Sequence, residues 1–512
     1  MKPGRVYLIG AGPGEPALIS VRGLRHLGGA DIVVHDRLVH ARQLRAVRPD
    51  AQRVDAATVL ERSPGPHAVA RLLAEKAAAG QTVARLIHGD PFEHGAGEAA
   101  ALRARGVPFE VVPGIPQAIG DCGFAGIPLG HPDAGDAVLF VNARTGRLPD
   151  TDRAYAASPR VTVVAQADAA GLRSIMDDLL AAGRAAGDPA ALIIDGTLPT
   201  QRTIDGRLGD VSRTTPDVLP RGSGVLVVGQ VVELRQQLRW FDNRPLSGRR
   251  VLVTRAREQS AELVDRLVDL GAEPVEAPTI RIAPPDDYGP LDAACADAES
   301  FDWIVFTSVN GVDAFLERLL AGPRDIRALG GVRLCAIGPA TAGRLRRHGL
   351  KVDVMPAEHR AEAVFDALRR AGRLAGARVL LARADIARAM LADALRAAGA
   401  EVTEATAYRT VRADGWSGPE LHSLLREQPV DVVTFTSAST ARNFAEILGA
   451  ETAAELLAAT PVASIGPVTA AAAAELGIET RIMPAAYTIP ALVEAIADHF
   501  AGAETAEKTE TP

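Results

Sequence analysis

A ten-residue stretch that occurs twice constrains the fold of this chain more than any other feature. Residues 302–311 return as residues 431–440, with Phe-Thr-Ser at the centre of both copies. In each copy a short run of apolar and β-branched residues gives way to hydroxyl and amide side chains, and an amphipathic segment follows. The pattern predicts a buried strand that leads into a helix, with hydroxyl groups at the helix N-terminus.

Other blocks repeat around this stretch in the same order. At an offset of 128 residues, 251–255 returns as 379–383, 271–273 as 399–401, and 336–342 as 464–470. The Phe-Thr-Ser pair is offset by 129 residues (436 − 307), so one copy carries a single extra residue. Ordered blocks at one offset indicate that the C-terminal half is an internally duplicated α/β unit. Two similar lobes predict a cleft between them, which is a usual place for a ligand.

Length and composition exclude several classes of protein. With 512 residues the chain is too long for one core, and its 47% hydrophobic and 23% charged residues are typical of a globular protein. A net charge of −7 argues against general binding to nucleic acids or acidic membranes. The N-terminal apolar run ends at Ile9, too early for a signal peptide or a membrane span, so the cytoplasm is the expected compartment. The three cysteines are widely spaced and predict neither disulfides nor a thiolate metal site.

The N-terminal half begins with a strand that runs into a glycine-rich turn, Gly-Ala-Gly-Pro-Gly at residues 10–14. The third glycine of the dinucleotide fingerprint G-x-G-x-x-G is missing and Pro13 interrupts the turn, so a backbone-lined pocket for another nucleoside is preferred to an NAD site. Residues His88, Asp90, Glu93 and His94 lack the spacing of a helical zinc motif. We interpret them as loop residues and predict no metal site.

The motifs of this half occur in the order found in uroporphyrinogen-III C-methyltransferases. They are Gly-Ala-Gly-Pro-Gly at 10–14, Asp-Arg-Leu-Val at 36–39, Gly-Asp-Pro-Phe at 89–92, Val-Pro-Gly at 112–114, Ala-Gly-Ile-Pro-Leu at 125–129 and Thr-Leu-Pro-Thr-Gln-Arg at 197–202. The resemblance covers about residues 4–241 and places this half in the tetrapyrrole methylase class, which uses S-adenosylmethionine. It implies a domain over 1–243 made of two α/β lobes, about 4–130 and 136–241, with the cofactor between them.

The resemblance also implies roles for particular residues. Cofactor contacts are implied for Gly12, Pro13, Gly89, Asp90, Pro113 and Gly114, while Asp36 and Arg37 would face the tetrapyrrole. In the implied reaction a pyrrole carbon attacks the methyl carbon of a sulfonium, so the protein mainly positions the reactants and excludes water.

The first half departs from its family at several positions. The family usually has Lys-Gly before the glycine of Gly-Asp-Pro, where this chain has Ile87-His88, and a Tyr-Met pair where it has Ala165-Gln166. The Thr-His-Arg expected after residue 129 is Gly-His-Pro at 130–132. Two alternatives therefore stay open for this half: an active methyltransferase, or a degenerate domain that binds a ligand or partner without catalysis.

A short linker at 244–248, rich in turn residues, precedes the duplicated half. Over about residues 249–500 this half resembles uroporphyrinogen-III synthase. The motifs that carry the resemblance are Arg255 after the first strand, Phe-Thr-Ser-Val-Asn-Gly at 306–311, Ile-Gly-Pro-Ala-Thr-Ala at 337–342, Ala-Tyr-Arg-Thr at 407–410, Phe-Thr-Ser at 435–437, Ile-Gly-Pro-Val-Thr-Ala at 465–470 and Tyr-Thr at 487–488. The implied lobes are about 249–281 plus 411–500, and 282–410. Residues 501–512 lack an apolar face and are expected to form a disordered tail.

The implied substrate, hydroxymethylbilane, carries many carboxylates on a flexible chain. Helix N-termini offer free N–H groups and a favourable dipole for such anions. The residues predicted to bind this substrate are Arg255, Thr307, Ser308, Asn310, Thr341, Arg383, Ser437 and Thr469. For the hydroxyl residues, a purely structural role as helix caps is the alternative interpretation.

Tyr408 has no hydroxyl counterpart in the other copy, because the residue 128 positions earlier is Ile280. Asymmetric chemistry is expected where an internal repeat departs from symmetry. By resemblance, Tyr408 is the catalytic residue and helps the terminal hydroxide of the substrate to leave, as a donor of a proton or hydrogen bond.

The sequence thus predicts a fused α/β tetrapyrrole enzyme. The C-terminal half would cyclise hydroxymethylbilane to uroporphyrinogen III without a cofactor, and the N-terminal half would methylate that product to precorrin-2 with S-adenosylmethionine. The expected partners are small tetrapyrroles, with no nucleic acid and no membrane; a homodimer through the N-terminal domain is left open. From another class, a two-lobed sensor of small acids is the alternative, while a DNA-binding regulator is disfavoured because no basic helix-turn-helix occurs.

Overall fold

The structure is a computed structural model that describes residues 4–65, 67–135, 137–142, 147–218, 223–358, 361–385, 389–413 and 415–510. The side chains of residues 94, 142, 215–218, 258 and 503–510 lie outside this description. The chain divides into two compact units. The first comprises the chain up to Arg249, Leu267–Glu273, and the chain from Phe500 onwards; the second comprises Arg250–Arg266 and Pro274–His499.

The first unit begins with a five-stranded parallel sheet. Its strands are β1 (Val6–Gly10), β2 (Ile32–His35), β3 (Gln52–Asp55), β4 (Val83–Ile87) and β5 (Phe109–Val112), in the order β3-β2-β4-β1-β5. Its helices are α1 (Val21–Gly28), α2 (Ala56–Arg62), α3 (Ala68–Ala78), α4 (Pro91–His94), α5 (Ala96–Ala104) and α6 (Gln117–Phe124). Because the strands are parallel, the loops that follow β1, β2, β4 and β5 all lie at one edge of the sheet, where open α/β sheets bind ligands.

A second, mixed sheet completes the first unit. Its strands are β6 (Ala137–Asn142), β7 (Val161–Asp168), β8 (Pro189–Ile194), β9 (Arg202–Arg207) and β10 (Ser223–Val228), in the order β6-β7-β10-β8-β9. The helices that follow in this part are α7 (Arg153–Ala156), α8 (Ala169–Ala181), α9 (Leu208–Val218) and α10 (Arg235–Leu238). β6 pairs with β7 in parallel, and β10 pairs with β7 and β8 in the antiparallel sense.

The second unit contains two sheets. The strands of this part of the chain are β11 (Arg250–Val253), β12 (Glu273–Glu276), β13 (Ile280–Ala283), β14 (Trp303–Phe306), β15 (Arg333–Ala336), β16 (Arg378–Ala384), β17 (Glu401–Arg412), β18 (Val432–Phe435) and β19 (Val462–Ser464). One sheet has the order β12-β11-β18-β19 and the other β13-β17-β16-β14-β15. The helices of this part of the chain are α11 (Ala261–Asp269), α12 (Gly289–Ala296), α13 (Val309–Ala321), α14 (Pro339–Arg347), α15 (Ala361–Ala371), α16 (Met390–Ala397), α17 (Gly418–Glu427), α18 (Ala438–Leu448), α19 (Ala450–Leu457), α20 (Pro467–Ala474) and α21 (Ile489–Glu510). The last residues of α11, from Leu267, and those of α21, from Phe500, belong to the first unit.

The two copies of the repeat have the predicted strand-to-helix plan, and they also share a core contact. In the first copy, Phe306 at the end of β14 packs edge-on against Phe315 of α13, with ring centroids 5.5 Å apart. In the second copy, Phe435 and Phe444 make the equivalent contact at 5.4 Å. All four rings are fully buried, so each strand is fixed to its own helix by the same pair of side chains. The α/β class predicted from the sequence is confirmed.

The chain passes between the two sheets through β13 and β17. These strands pair in the antiparallel sense, with Ile280 opposite Arg412. β13 begins two residues before the predicted lobe limit at 282, and β17 ends two residues after the limit at 410. The segments that cross between the lobes pair as strands instead of ending as loops.

The C-terminal segment differs from the prediction. α21 continues to Glu510 and so includes the first residues of the segment expected to be disordered. Its alanine and glutamate residues are strong helix formers, and they outweigh the missing apolar face on which the prediction rested. Residues 511–512 lie outside the described residues. In the described part of the chain no helix combines the length and apolar content needed to cross a membrane.

Candidate functional sites

Backbone hydrogen bonds tie together the loops at the ligand edge of the parallel sheet. The N–H of Gly89 donates to the carbonyl of Gly12 at 2.9 Å, and the N–H of Gly12 donates to the carbonyl of Gly89 at 3.3 Å. Asp90 Oδ2 accepts the N–H of Gly114 at 3.0 Å. Four residues predicted to contact the cofactor are thus brought together after β1, β4 and β5.

These loops approach so closely that only glycine fits at their contact. A Cβ atom on Gly114 would lie 2.3 Å from the carbonyl oxygen of Gly89 and 2.8 Å from Cα of Gly10. Both neighbours are backbone atoms, which have no rotamer with which to move aside. Pro113 beside them is exposed, and the ring of Pro13 packs against Gly120. The result is a surface made of peptide groups, which fits a ligand recognised by backbone N–H and C=O groups.

Asp36, predicted to face the tetrapyrrole, is held from two sides. Its Oδ1 accepts a hydrogen bond from Arg85 Nη2 at 2.6 Å, and its Oδ2 accepts the N–H of His88 at 3.0 Å. Arg85 also pairs with Glu98 at 2.9 Å, and its side chain is only 6% exposed. Burial acts to lower the pKa of Arg85, but Glu98 and Asp36 outweigh it and raise the pKa. Sequence reasoning missed Arg85, although an arginine within the apolar run of β4 was a visible signal.

Arg37, the other residue predicted to face the tetrapyrrole, has a different environment. Its side chain is 66% exposed and makes two long contacts, at 3.5 Å to Asp55 and 3.4 Å to Glu61. Exposed pairs of this length contribute little to stability. The guanidinium is therefore available to a ligand at the same edge.

A polar group, which we call the Gln117 cluster, consists of the buried residues Gln117 and Asp121 and the half-buried residues His88 and Gln166. Gln117 Nε2 donates to Asp121 Oδ2 at 3.2 Å, and Gln117 Oε1 accepts from Gln166 Nε2 at 2.6 Å and faces His88 Nε2 at 3.3 Å. Asp121 is fully buried, and burial raises the pKa of its carboxyl to about 8, assisted by Asp195 and opposed by the bond from Gln117. Sequence reasoning noted Gln166 only as a departure from a family pattern, and His88 as such a departure and as a loop residue that binds no metal. The side chain of His94, which was considered with His88, lies outside the described residues.

Asp121 is expected to make the stability of the first unit depend on pH. The unfolded carboxyl titrates near its ordinary value and the folded one near about 8, so the native state holds one more proton between these pH values. The free energy of unfolding should therefore fall as pH rises from about 4 towards 8, by up to about 1.4 kcal/mol per pH unit, and then level off. Asp121→Asn should remove this slope. Denaturant unfolding across this pH range measures it, and equal slopes in both proteins would contradict the assignment.

In the second unit, hydroxyl groups and glycines begin the helices that follow the repeated strands. Ser308 caps α13 by accepting the N–H of Gly311 at 3.0 Å, and Ser437 caps α18 by accepting that of Thr440 at 3.2 Å. α14 and α20 begin instead at prolines after Gly338 and Gly466, and no described side chain caps either helix. Their first N–H groups are thus without a side-chain partner in the described residues.

Thr341 and Thr469, predicted to bind substrate, lie in the first turns of α14 and α20. Each is only 4% exposed, and neither is the cap residue. The interpretation of the hydroxyls as helix caps therefore holds for Ser308 and Ser437 but not for these two threonines.

Tyr408 is buried near the end of β17, and its hydroxyl donates to Ser308 Oγ at 3.0 Å. Burial raises the pKa of the phenol, with Asp385 adding to the effect and hydrogen bonds to Ser308 and Asn310 opposing it. The phenol therefore stays protonated at neutral pH. Thr307 and Ser308 are half-buried. Asn310 Oδ1 accepts a short hydrogen bond from Nε2 of Gln259, and sequence reasoning missed Gln259.

The repeat-related arginines have opposite environments. Arg383 is buried and pairs with Glu404, which also binds Arg396 at 2.7 Å. Arg255, at the equivalent strand end, has a buried Nε for which the described residues supply no hydrogen-bond partner. Burial lowers the pKa of the Arg255 guanidinium, and Glu262 opposes this effect. An arginine nevertheless remains charged in proteins, so Arg255 is a partly buried cation whose Nε lacks an acceptor.

These features define an α/β protein with closely packed glycine loops at a sheet edge in one unit and, in the other, a duplicated unit whose helices after the repeated strands begin at hydroxyl residues or prolines. Family models match both halves: Tetrapyrrole (Corrin/Porphyrin) Methylases over residues 5–212, and Uroporphyrinogen-III synthase HemD over residues 261–494. Over 87% of its length the chain is 32% identical to the porphyrin biosynthesis protein HemD of Ruminiclostridium josui, and the match spans 89% of that protein. The chain belongs to this HemD family, a fusion of the two domains. The resemblances inferred from the motifs are confirmed.

Other relatives match the first half alone. The chain is 42% identical over 250 residues to the siroheme synthase of Pseudomonas fluorescens (strain Pf0-1), and the match covers 47% of this chain and 52% of that protein. Among solved structures, uroporphyrin-III C-methyl transferase from Thermus thermophilus complexed with S-adenyl homocysteine is 33% identical. That match covers 45% of this chain and 100% of the other, with a TM-score of 0.39.

Proposed function

We propose that the second unit cyclises hydroxymethylbilane to uroporphyrinogen III with inversion of ring D, and that the first unit methylates this product to precorrin-2. The observation that carries the first part is the partly buried Arg255 guanidinium, whose Nε has no acceptor among the described residues. A partly buried guanidinium with an N–H that lacks an acceptor is unfavourable unless a ligand supplies the acceptor. A substrate rich in carboxylates supplies it.

The helix N-termini of the second unit extend this argument. The first turns of α14 and α20 have no side-chain cap among the described residues, and their dipoles favour negative charge. Together with Arg255 they offer separate anchors for carboxylates without further buried cations. Such anchors suit a flexible substrate that must be folded before its ends are joined.

Tyr408 provides a hydroxyl group that the equivalent residue of the other copy, Ile280, lacks. Its protonated phenol is positioned by Ser308, which the N–H of Gly311 fixes in turn. As the terminal hydroxide of the substrate leaves, the developing negative charge on oxygen is stabilised by a hydrogen bond or a proton from this phenol. The electron pair of the neighbouring pyrrole then forms the azafulvene that reacts further.

Arg255→Met is expected to weaken binding of hydroxymethylbilane while leaving the fold intact. Loss of one charge-assisted contact should raise KM by about tenfold, with a free energy of unfolding no lower than that of the wild type. Arg383→Met is the matched comparison, because it removes a guanidinium that the protein has already paired with Glu404. That variant should lose stability. Steady-state kinetics measure the change in KM, and denaturant unfolding measures the change in stability. If both variants changed in the same way, the proposed difference between Arg255 as a substrate contact and Arg383 as a structural residue would be contradicted.

For the first unit, the peptide-lined surface formed by Gly12, Gly89 and Gly114 would hold S-adenosylmethionine, with Asp90 fixing the loop. When bound, this co-substrate supplies an electrophilic methyl group. The residues of the chain then have to orient the tetrapyrrole, for which Asp36 and Arg37 lie at the same sheet edge, and to keep water out. Calorimetric titration of the full chain with S-adenosylmethionine tests this part; absence of binding would favour a non-catalytic first unit.

The domain limits follow from the same proposal. We assign residues 1–243 to the methylase domain, 244–248 to the linker and 249–500 to the synthase domain. The cytoplasmic location and a homodimer through the first domain stay predictions.

A further inference from the structure

Thr197 has a backbone conformation that its own side chain disfavours. Its φ is +67°, in the left-handed region, where a β-branched residue is an outlier. It is the third residue of a turn over 195–198, which the N–H of Leu198 closes by donating to the carbonyl of Asp195 at 3.1 Å. Turns with a positive φ at this position usually have glycine there. Strain of this kind persists only where the surroundings impose it, and it is concentrated at functional sites.

The hydroxyl of Thr197 bonds to the end of the glycine-rich turn at 10–14. Its Oγ1 accepts the N–H of Glu15, the residue directly after this turn, at 2.9 Å. Thr197 is fully buried, and a Cβ atom on Gly14 would lie 3.0 Å from the same oxygen. Glycine, which the backbone conformation at 197 would favour, has no group that could accept the N–H of Glu15.

The glycine-rich turn is therefore held on both sides. On one side Gly12 exchanges backbone hydrogen bonds with Gly89, and on the other side Glu15 donates to Thr197. Three glycines in five residues give an unrestrained turn many accessible conformations. A ligand recognised by backbone groups binds tightly only if those groups are already in position, because ordering them on binding costs free energy.

Thr197 is itself anchored by residues away from the glycine-rich turn. Its N–H donates to Gln201 Oε1 at 2.8 Å, and Gln201 Nε2 donates to Asp242 Oδ1 at 3.1 Å. Asp242 also pairs with Arg235, which is buried. This series of bonds fixes the position of Thr197 independently of the turn that its hydroxyl holds.

We propose that Thr197 is a positioning residue for S-adenosylmethionine, because it holds the glycine-rich turn in the conformation that binds this co-substrate. The inference rests on the proposed function of the first unit. Thr197 acts through its bond to Glu15 and is not assigned a contact with the reacting atoms. Without the hydroxyl, the turn occupies its binding conformation for only a fraction of the time, and the affinity falls in proportion to that fraction.

Calorimetric titration of the full chain with S-adenosylmethionine tests the hydroxyl. Thr197→Val keeps the branched side chain but not the acceptor, and should bind about tenfold more weakly than the wild type. Thr197→Ser keeps the hydroxyl and loses the buried methyl group, and should bind within about twofold of the wild type. Thr200→Val, which removes an exposed hydroxyl of the same motif, should bind as the wild type does. A role in packing alone would reverse the order of Thr197→Val and Thr197→Ser.

A second measurement needs no ligand. Hydrogen exchange of the full chain is followed by mass spectrometry on peptides that contain residues 10–15. Exchange there should be about tenfold faster in Thr197→Val than in the wild type, and unchanged in Thr197→Ser. Peptides from β7 should exchange alike in all three proteins, because the lost bond ends at Glu15.

Steady-state kinetics with uroporphyrinogen III separate positioning from chemistry. In Thr197→Val, KM for S-adenosylmethionine should rise about tenfold, while kcat stays within about threefold of the wild type. Equal affinities of the wild type and Thr197→Val, or a Thr197→Ser variant that binds as weakly as Thr197→Val, would overturn the inference while leaving the proposed function intact. A wild-type chain that does not bind S-adenosylmethionine would overturn both.

Discussion

Replacing Arg85 with leucine is expected to destabilise the first unit by about 3–5 kcal/mol. The guanidinium is almost fully buried and pairs with Asp36 at 2.6 Å and Glu98 at 2.9 Å. Its removal leaves two carboxylates, largely shielded from water, without their counterion. The free-energy cost of such unpaired carboxylates is far larger than the gain from packing a leucine side chain. Hydrogen exchange measured by mass spectrometry on peptides that contain β4 reports this loss locally.

Arg37→Met is the matched control for this prediction. Arg37 also contacts two carboxylates, but its side chain is 66% exposed and the contacts are 3.4–3.5 Å long. Its loss should lower stability by at most about 1 kcal/mol. If the two variants were equally stable, the buried pair would not have the structural role described for it, and the ordering of Asp36 would need another cause.

Replacing Tyr408 with phenylalanine should reduce kcat for cyclisation of hydroxymethylbilane by about 100-fold. The ring and its packing are retained, and only the hydroxyl that donates to Ser308 is lost. KM should change little, because the phenol acts on the leaving hydroxide and not on the carboxylates of the substrate. As enzymatic closure slows, a larger share of the product should be the isomer that forms without inversion. Chromatography of the products measures both effects.

Tyr288→Phe is the control for the loss of a hydroxyl. Its ring lies under the Arg318 guanidinium at 4.4 Å, a contact that phenylalanine preserves. That variant should cyclise at the wild-type rate. Full activity of Tyr408→Phe would instead leave Tyr408 as a core residue at the end of a strand.

The repeat explains why much of this fold could be predicted from the sequence. Two strands with the same apolar pattern and the same Phe-Thr-Ser ending must each bury a face against a helix, and both do so through equivalent phenylalanine pairs. Prolines also mark the starts of α14 and α20, because the fixed φ of proline suits the first position of a helix. Patterns of this kind predict structure because they depend only on residues that are close together in the sequence.

Pairing between distant residues could not be predicted in this way. Arg255 and Arg383 are equivalent in sequence, and only the fold shows that Glu404 binds one of them. Likewise, Gln117 and Asp121 lie one helical turn apart on α6, but their link to Gln166 depends on how the two sheets of the first unit pack. The role of a polar residue depends on partners that are distant in the sequence, and a single sequence does not identify those partners.

The central claim, that one chain both makes uroporphyrinogen III and methylates it, is tested most directly by incubating the purified full chain with hydroxymethylbilane. The incubation is run with and without S-adenosylmethionine, and the products are identified by chromatography and mass. We expect uroporphyrinogen III in both cases, and two added methyl groups only when S-adenosylmethionine is present. Formation of the uninverted isomer alone would contradict the synthase assignment, and uroporphyrinogen III that is never methylated would contradict the claim for the first unit.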